Sequence, residues 1–199
     1  GIDVSVYQGD IDWEAVKNDG IDFAIIRLGF RGYGESGSMN LDRKFTANLE
    51  GAIAAGLDVG VYFFSQAITV EEAAEEAEFV LSYLEGYDLT CPVVFDWEVI
   101  GTETARTYGL DTETLCACAN TFCSIVEAAG YEAMIYFTSY TGYIKYDLSQ
   151  VMEYAFWFAQ YSDTPDFYYD FQMWQYSSTG SVDGISGDVD LNLQLICIN

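Results

Sequence analysis

The chain has 199 residues, 51% of them hydrophobic and 17% aromatic, with 2 prolines; this suits one ordinary domain or small barrel around a large core and argues against disorder and linkers. Seven basic residues face 32 acidic ones, a formal charge of −25, which makes nucleic acid a poor partner candidate, disfavours anionic membrane surfaces and reads mainly as a solvated, solubilising exterior. Histidine is absent, so Ser-His-Asp and Cys-His hydrolases and His-containing zinc sites are excluded, leaving carboxylates, Tyr, Lys or Cys to move protons near neutral pH.

In chain order, GIDVS predicts a first strand over 1–5, with Asp3 set in an apolar pattern. WEAVKND reads as a helix ended by Gly20, and a strand over 23–29 follows. FTANLEGAIAA reads as a helix ended by Gly56, and a strand over 58–65 follows. Thr69 and Glu72 have the spacing of a capping box ahead of EEAAEEAEFVLSYL, with the next strand over 92–98. Asp111 or Thr112 can cap a helix through Cys123 that closes at Gly130, before a strand over 133–139. Strands over 154–161, 171–176 and 189–195 complete the chain, joined by short loops with no helical period. Alternating strands and helices predict a parallel sheet with helices outside it. Eight strands, with both ends of the chain strand-like, predict closure. The expected fold is α/β, an irregular (β/α) barrel of eight strands with helices mainly between the first five and residues 1–199 forming a single catalytic domain; an open doubly wound sheet is the alternative. A barrel puts the active site at the C-terminal ends of its strands.

The five cysteines, Cys91, Cys116, Cys118, Cys123 and Cys197, match no metal motif. Cys116 and Cys118 sit two apart on a helix and point in different directions, so they chelate poorly. Buried free thiols are the preferred reading, with one disulfide as the alternative. No apolar run reaches the roughly 20 residues of a membrane-spanning helix. No leader peptide precedes the strand-like GIDVSVYQG, as expected of a mature or trimmed chain.

The local pattern richest in chemistry is PVVFDWE, residues 92–98. An apolar strand ends in Asp96-Trp97-Glu98, and side chains at i and i+2 of a strand share a face, roughly 6–7 Å apart. Two carboxyls presented together after a buried run raise each other's pKa, as a glycosidase needs to protonate a leaving oxygen. Acidic pairs are common in so acidic a chain, so an exposed Asp and Glu around an ordinary Trp is the plain alternative. Asp3 on the first strand and Asp190 on the last shift that balance. First and last strands are neighbours in a closed barrel, so both acids can converge on Asp96 and Glu98, and an acid within an apolar strand costs free energy unless used or paired. Aromatic residues recur near strand ends as Tyr62, Phe64, Tyr136, Trp157 and Trp174. Singly each suits a core; together, at a barrel mouth, they suit a carbohydrate cleft.

The segments GIDVSVYQGDIDW, FAIIRLGFRGYG, GVYFFSQA, PVVFDWE, AGYEAMIY and WQYSSTGSVDGISGDVDLN resemble the N-acetylmuramidases of glycoside hydrolase family 25, in family order and over essentially the whole chain. The resemblance implies hydrolysis of the β-1,4 bond between N-acetylmuramic acid and N-acetylglucosamine in peptidoglycan. It implies Glu98 as general acid/base, and Asp96 either stabilising a 2-acetamido group that acts as internal nucleophile or acting more directly. Asp3 and Asp190 match the other two acids of the family cleft, and Tyr62, Phe64, Tyr136 and Trp174 are the candidate substrate-binding aromatics. It implies no metal and no organic cofactor. The expected partner is the glycan strand of peptidoglycan, met by a monomer outside the cell or in the cell wall. A chitinase-like endo-hexosaminidase is one alternative, although Val93, Val94 and Phe95 stand where chitinases carry further acids. A glycan-binding barrel without catalysis is the other.

Overall fold

The computed structural model describes residues 1–195 of the chain. Its strands are β1 (Ile2–Val4), β2 (Phe23–Arg31), β3 (Met39–Leu41), β4 (Asp58–Ser65), β5 (Val93–Trp97), β6 (Ala133–Thr138), β7 (Ala155–Ala159), β8 (Met173–Gly180) and β9 (Val189–Gln194). Four α-helices lie between the earlier strands: α1 (Trp13–Asn18), α2 (Phe45–Ala54), α3 (Val70–Leu84) and α4 (Thr112–Ala128). The strands run in the order β1-β9-β8-β7-β6-β5-β4-β2-β3, and β1 also pairs with β2, which closes an eight-stranded barrel and leaves β3 outside it.

Local chemistry explains the helix ends. Asp12, Thr69 and Asp111 each accept a backbone N–H of the first turn of α1, α3 and α4. Glu72 reaches back to the N–H of Ile68, one residue beyond the expected capping-box partner. Gly20, Gly56 and Gly130 follow their helices with φ of 93°, 76° and 94°, which favours glycine.

Two expectations are corrected. The sheet is mixed: β9 runs antiparallel to both β1 and β8. The loop 181–188 is too short for the dozen or more residues of a parallel crossover, so the chain turns back. β3, absent from the expected strands, pairs antiparallel with the end of β2; its three residues carry too little apolar pattern to stand out.

Strand alternation divides the buried side chains into two layers. Ile26, Val61, Phe63, Phe95, Phe137 and Phe158 pack outward against the helices. Phe23, Ile25, Val94, Met134, Trp157 and Met173 fill the lumen. The helices therefore need no part in the lumen, whose open end is free for polar groups. Cys91, Cys116, Cys118 and Cys123 are buried free thiols, and Cys197 lies outside the described residues. Among the described residues no helix is long and apolar enough to cross a membrane.

Candidate active site

The same alternation that points Val94 into the lumen points Asp96 there, and Glu98 follows just past the strand end. Asp3 and Asp190 are direct partners across β1 and β9. Asp96 lies level with Phe64 on β4 and Tyr136 on β6. All four acids line a cavity of about 170 Å³, together with Tyr62, Tyr136, Trp157, Tyr161 and Gln175. The same acids and Tyr62 also line an adjoining groove of about 460 Å³, whose other walls include Tyr7, Arg27, Phe30, Tyr33, Phe64 and Ile100.

Seven of the eight predicted site residues thus meet at one end of the barrel. Trp174 does not line either space. Met173 and Gln175 point into the lumen, so Trp174 between them points out, packs in the outer layer and donates its indole N–H to the carbonyl of Gln160 at 2.9 Å.

Hydrogen bonding orients the floor of the cavity. Asp3 Oδ2 accepts the amides of Gln175 and Asn192, each at 2.8 Å. Asn192 accepts the Trp157 indole N–H at 2.8 Å. An indole N–H only donates, so the Asn192 oxygen must face it and its amide nitrogen must face Asp3. The Gln175 oxygen accepts the hydroxyls of Tyr136 and Tyr161, each at 3.0 Å. Both hydroxyl protons are committed there, so toward the cavity these tyrosines present only lone pairs. Asp96 Oδ1 has no partner among the described residues. The site is therefore rich in acceptors and suits a ligand that donates N–H and O–H. Sequence reasoning missed Gln175, Asn192, Tyr161 and Arg27; Asn192 was within reach, since it shares a strand face with Asp190.

Arg27 lines the groove beside the acids and acts on Asp96. Its Nε and Nη2 bind Asp42 Oδ2 at 2.8 and 2.7 Å, and its guanidinium sits 5.0 Å from the Tyr7 ring centre. The carbonyl of Glu98 accepts the Gln66 amide at 3.2 Å, and Gln66 is held in turn by the Thr107 hydroxyl at 2.7 Å and by Arg106 at 3.1 Å. This tether fixes the backbone at Glu98 and the start of the loop after it.

Burial and crowding raise the carboxyls together. Burial, then Asp190, pushes Asp3 up to about 7 against the pull of its two amide donors. Burial, then the charges of Glu98 and Asp3, raises Asp96 well above the usual carboxylate range. Burial, then Asp190, raises Glu98, and burial raises Asp190. Folding therefore takes up protons. For a group raised in this way, stability is fully present below the unfolded pKa and is lost as pH rises through the folded one. The thermal midpoint is expected to rise as pH falls from about 8 toward about 5, gaining about 1.4 kcal/mol per pH unit for each proton taken up. Calorimetry across that range checks this, and a midpoint that fails to rise over the same interval would overturn the raised cluster. Among the described residues no group of three or more His, Cys, Asp or Glu is arranged to hold a metal ion.

Comparison with known proteins identifies the family. The family model described as Glycosyl hydrolases family 25 matches residues 2–185. Lysozyme M1 of Streptomyces globisporus is 31% identical over 202 residues, covering 96% of this chain and 66% of that protein. The autolytic lysozyme of Clostridium acetobutylicum is 29% identical over 194 residues, covering 96% of this chain and 54% of that one. The chain thus spans between about half and two thirds of the length of these curated relatives. Among solved structures, the bacterial lysozyme from Streptomyces coelicolor matches with a TM-score of 0.81 at 29% identity, covering 100% of this chain and 92% of that one. The modular autolysin LytC from Streptococcus pneumoniae, in complex with a synthetic peptidoglycan ligand, matches with a TM-score of 0.77 at 26% identity, covering 96% of this chain and 45% of that one.

Proposed function

This chain belongs to glycosyl hydrolase family 25, and from that premise we propose that it is a muramidase, hydrolysing the β-1,4 bond between N-acetylmuramic acid and N-acetylglucosamine in bacterial peptidoglycan. The observation that carries the reading is the convergence of Asp3, Asp96, Glu98 and Asp190 on one acceptor-rich cavity at the open end of the lumen. Glu98, held protonated by burial and by Asp190, gives its proton to the leaving O4 as the C1–O4 bond breaks. The 2-acetamido oxygen attacks C1 from the other face. Asp96, whose Oδ1 lacks a partner, accepts the acetamido N–H and so turns the acetamido oxygen toward C1. Glu98, now a carboxylate, removes a proton from the water that opens the cyclic intermediate, and C1 keeps its β configuration. Asp190 maintains the field that keeps Glu98 protonated, and Asp3, held by the amides of Gln175 and Asn192, sits beside it on the cavity floor. Tyr62, Phe64 and Tyr136 form the walls against which the sugar rings lie. These steps call for carboxyls and water alone. The site of action is the cell wall outside the membrane, and the acting unit is a single chain.

The test is the identity of the new reducing end after digestion of purified peptidoglycan. N-acetylmuramic acid is expected there. A new N-acetylglucosamine end would assign cleavage of the other glycosidic bond. Faster cleavage of chitin oligosaccharides than of peptidoglycan would favour the chitinase-like alternative, and binding to walls without cleavage would favour the non-catalytic one.

A further inference from the structure

Beside the acidic cleft lies a cavity of opposite character. It measures about 430 Å³ and is framed by the loop after β5 and by the turn Thr141–Lys145 after β6. Trp97, Val99 and Ile100 supply apolar wall; Tyr108 and Tyr140, 61% and 55% exposed, stand at its edge. Lys145 is its one charged lining residue. In a chain with 32 acidic residues no acid lines this space, and Lys145 forms no ion pair among the described residues. The hydroxyls of Tyr108 and Tyr140 are likewise uncommitted there, and the Trp97 indole N–H is a buried donor that the described residues leave unused. Ile100 also lines the acidic groove, so one ligand can lie across both spaces.

We propose that this cavity binds the carboxylate-bearing peptide stem of the substrate, with Lys145 facing a stem carboxylate and the rings of Tyr108 and Tyr140 covering its small apolar side chains. The proposal rests on the muramidase reading and deepens it. A peptide stem branches from N-acetylmuramic acid, beside the scissile bond, and carries both methyl groups and carboxylates. The four acids of the catalytic cavity repel such carboxylates, whereas the adjoining cavity offers a cation, hydroxyl donors and aromatic faces with no opposing charge. Its volume lies within the roughly 300–1,000 Å³ of ordinary ligand pockets, enough for a few small residues. The structure thus sorts the two chemistries of one substrate, neutral sugar to the acids and anionic peptide to the lysine.

The test compares three forms of one glycan chain: with tetrapeptide stems, with the stem carboxylates amidated, and stripped of stems by an amidase. The readout is the ratio of kcat/KM on stem-bearing over stripped chains, for the wild type and for Lys145→Gln, Lys145→Glu and Tyr140→Ala. The wild type is expected to prefer stem-bearing chains. Reversing the charge in Lys145→Glu is expected to lower the ratio about three- to tenfold, chiefly through KM, with Lys145→Gln falling less. Amidated stems are expected to be insensitive to either lysine change, and Tyr140→Ala to lower the ratio for both peptide forms. An unmoved ratio in Lys145→Glu overturns the stem site while leaving the muramidase reading standing. A wild type that cleaves none of the three chains overturns both.

Discussion

Replacing Glu98 by Gln is expected to leave the fold intact and to remove nearly all hydrolysis. The substitution keeps the size of the side chain. It also keeps the backbone carbonyl that anchors the Gln66 amide, so the loop after β5 should stay in place. What is lost is the proton for the leaving oxygen, and general acid catalysis contributes on the order of 10²–10⁴ in rate. The loss should fall on kcat, because the sugar still meets the same walls. The wild-type profile should carry the matching signature. Burial and the Asp190 charge raise Glu98, so activity should persist to higher pH than an ordinary carboxylic acid allows and fall as Glu98 ionises. Asp190→Asn removes that charge and should move the alkaline limb of the profile toward lower pH. Near-normal turnover by a folded Glu98→Gln protein would remove Glu98 from this role.

How much of this was legible depended on where the physics is local. Helix stops at Gly20, Gly56 and Gly130 were readable, because a residue that must adopt positive φ after a helix is nearly always glycine. The lumen-facing acids were readable too, since period-two alternation puts Asp96 on the face of Val94 whatever the partner strands are. The failures came where the answer depended on register or on distant partners. Trp174 looked like a cleft aromatic by type, but one position of alternation turns it outward and Gln175 inward. Gln175 carries no special spacing, and Asn192 offers only the strand face it shares with Asp190. They matter because β8 and β9 bring them to Asp3, 172 and 189 residues away along the chain. The reversal of β9 follows from the shortness of loop 181–188, which the sequence hid because the strand before it was predicted to end at residue 176 rather than at Gly180.

Replacing Arg31 by Met is expected to be the most destabilising single change in the wall of the cleft. Arg31 is 5% exposed. Its Nε donates to Glu76 at 2.7 Å, its Nη1 to the carbonyl of Gly37 at 3.0 Å, and its Nη2 to the carbonyl of Glu72 at 2.9 Å and to Glu75 at 3.2 Å. The guanidinium thus ties the loop 32–38 to the start of α3. Arg106 joins the same structure by donating its backbone N–H to the carbonyl of Tyr33 at 2.9 Å and its side chain to Glu72. Glu76 is fully buried, and burial already pushes it up to about 7 against the pull of Arg31. Removing the cation strands that carboxyl, at a cost of about 3–5 kcal/mol when it is charged. Glu76 can escape the cost by taking up a proton, so the loss measured by urea unfolding should be larger at about pH 8 than at about pH 5. Glu76→Met should cost less, because Arg31 keeps Glu75 and two carbonyls. The double variant Arg31→Met/Glu76→Met should be more stable than Arg31→Met alone, since it removes the stranded charge along with its partner. With loop 32–38 released, Tyr33 no longer holds its side of the groove, so KM for glycan should rise in the single variant even where it remains folded. If the double variant is as unstable as Arg31→Met at both pH values, the stranded carboxyl is not the cause, and the lost contacts to Gly37 and Glu72 carry the effect instead.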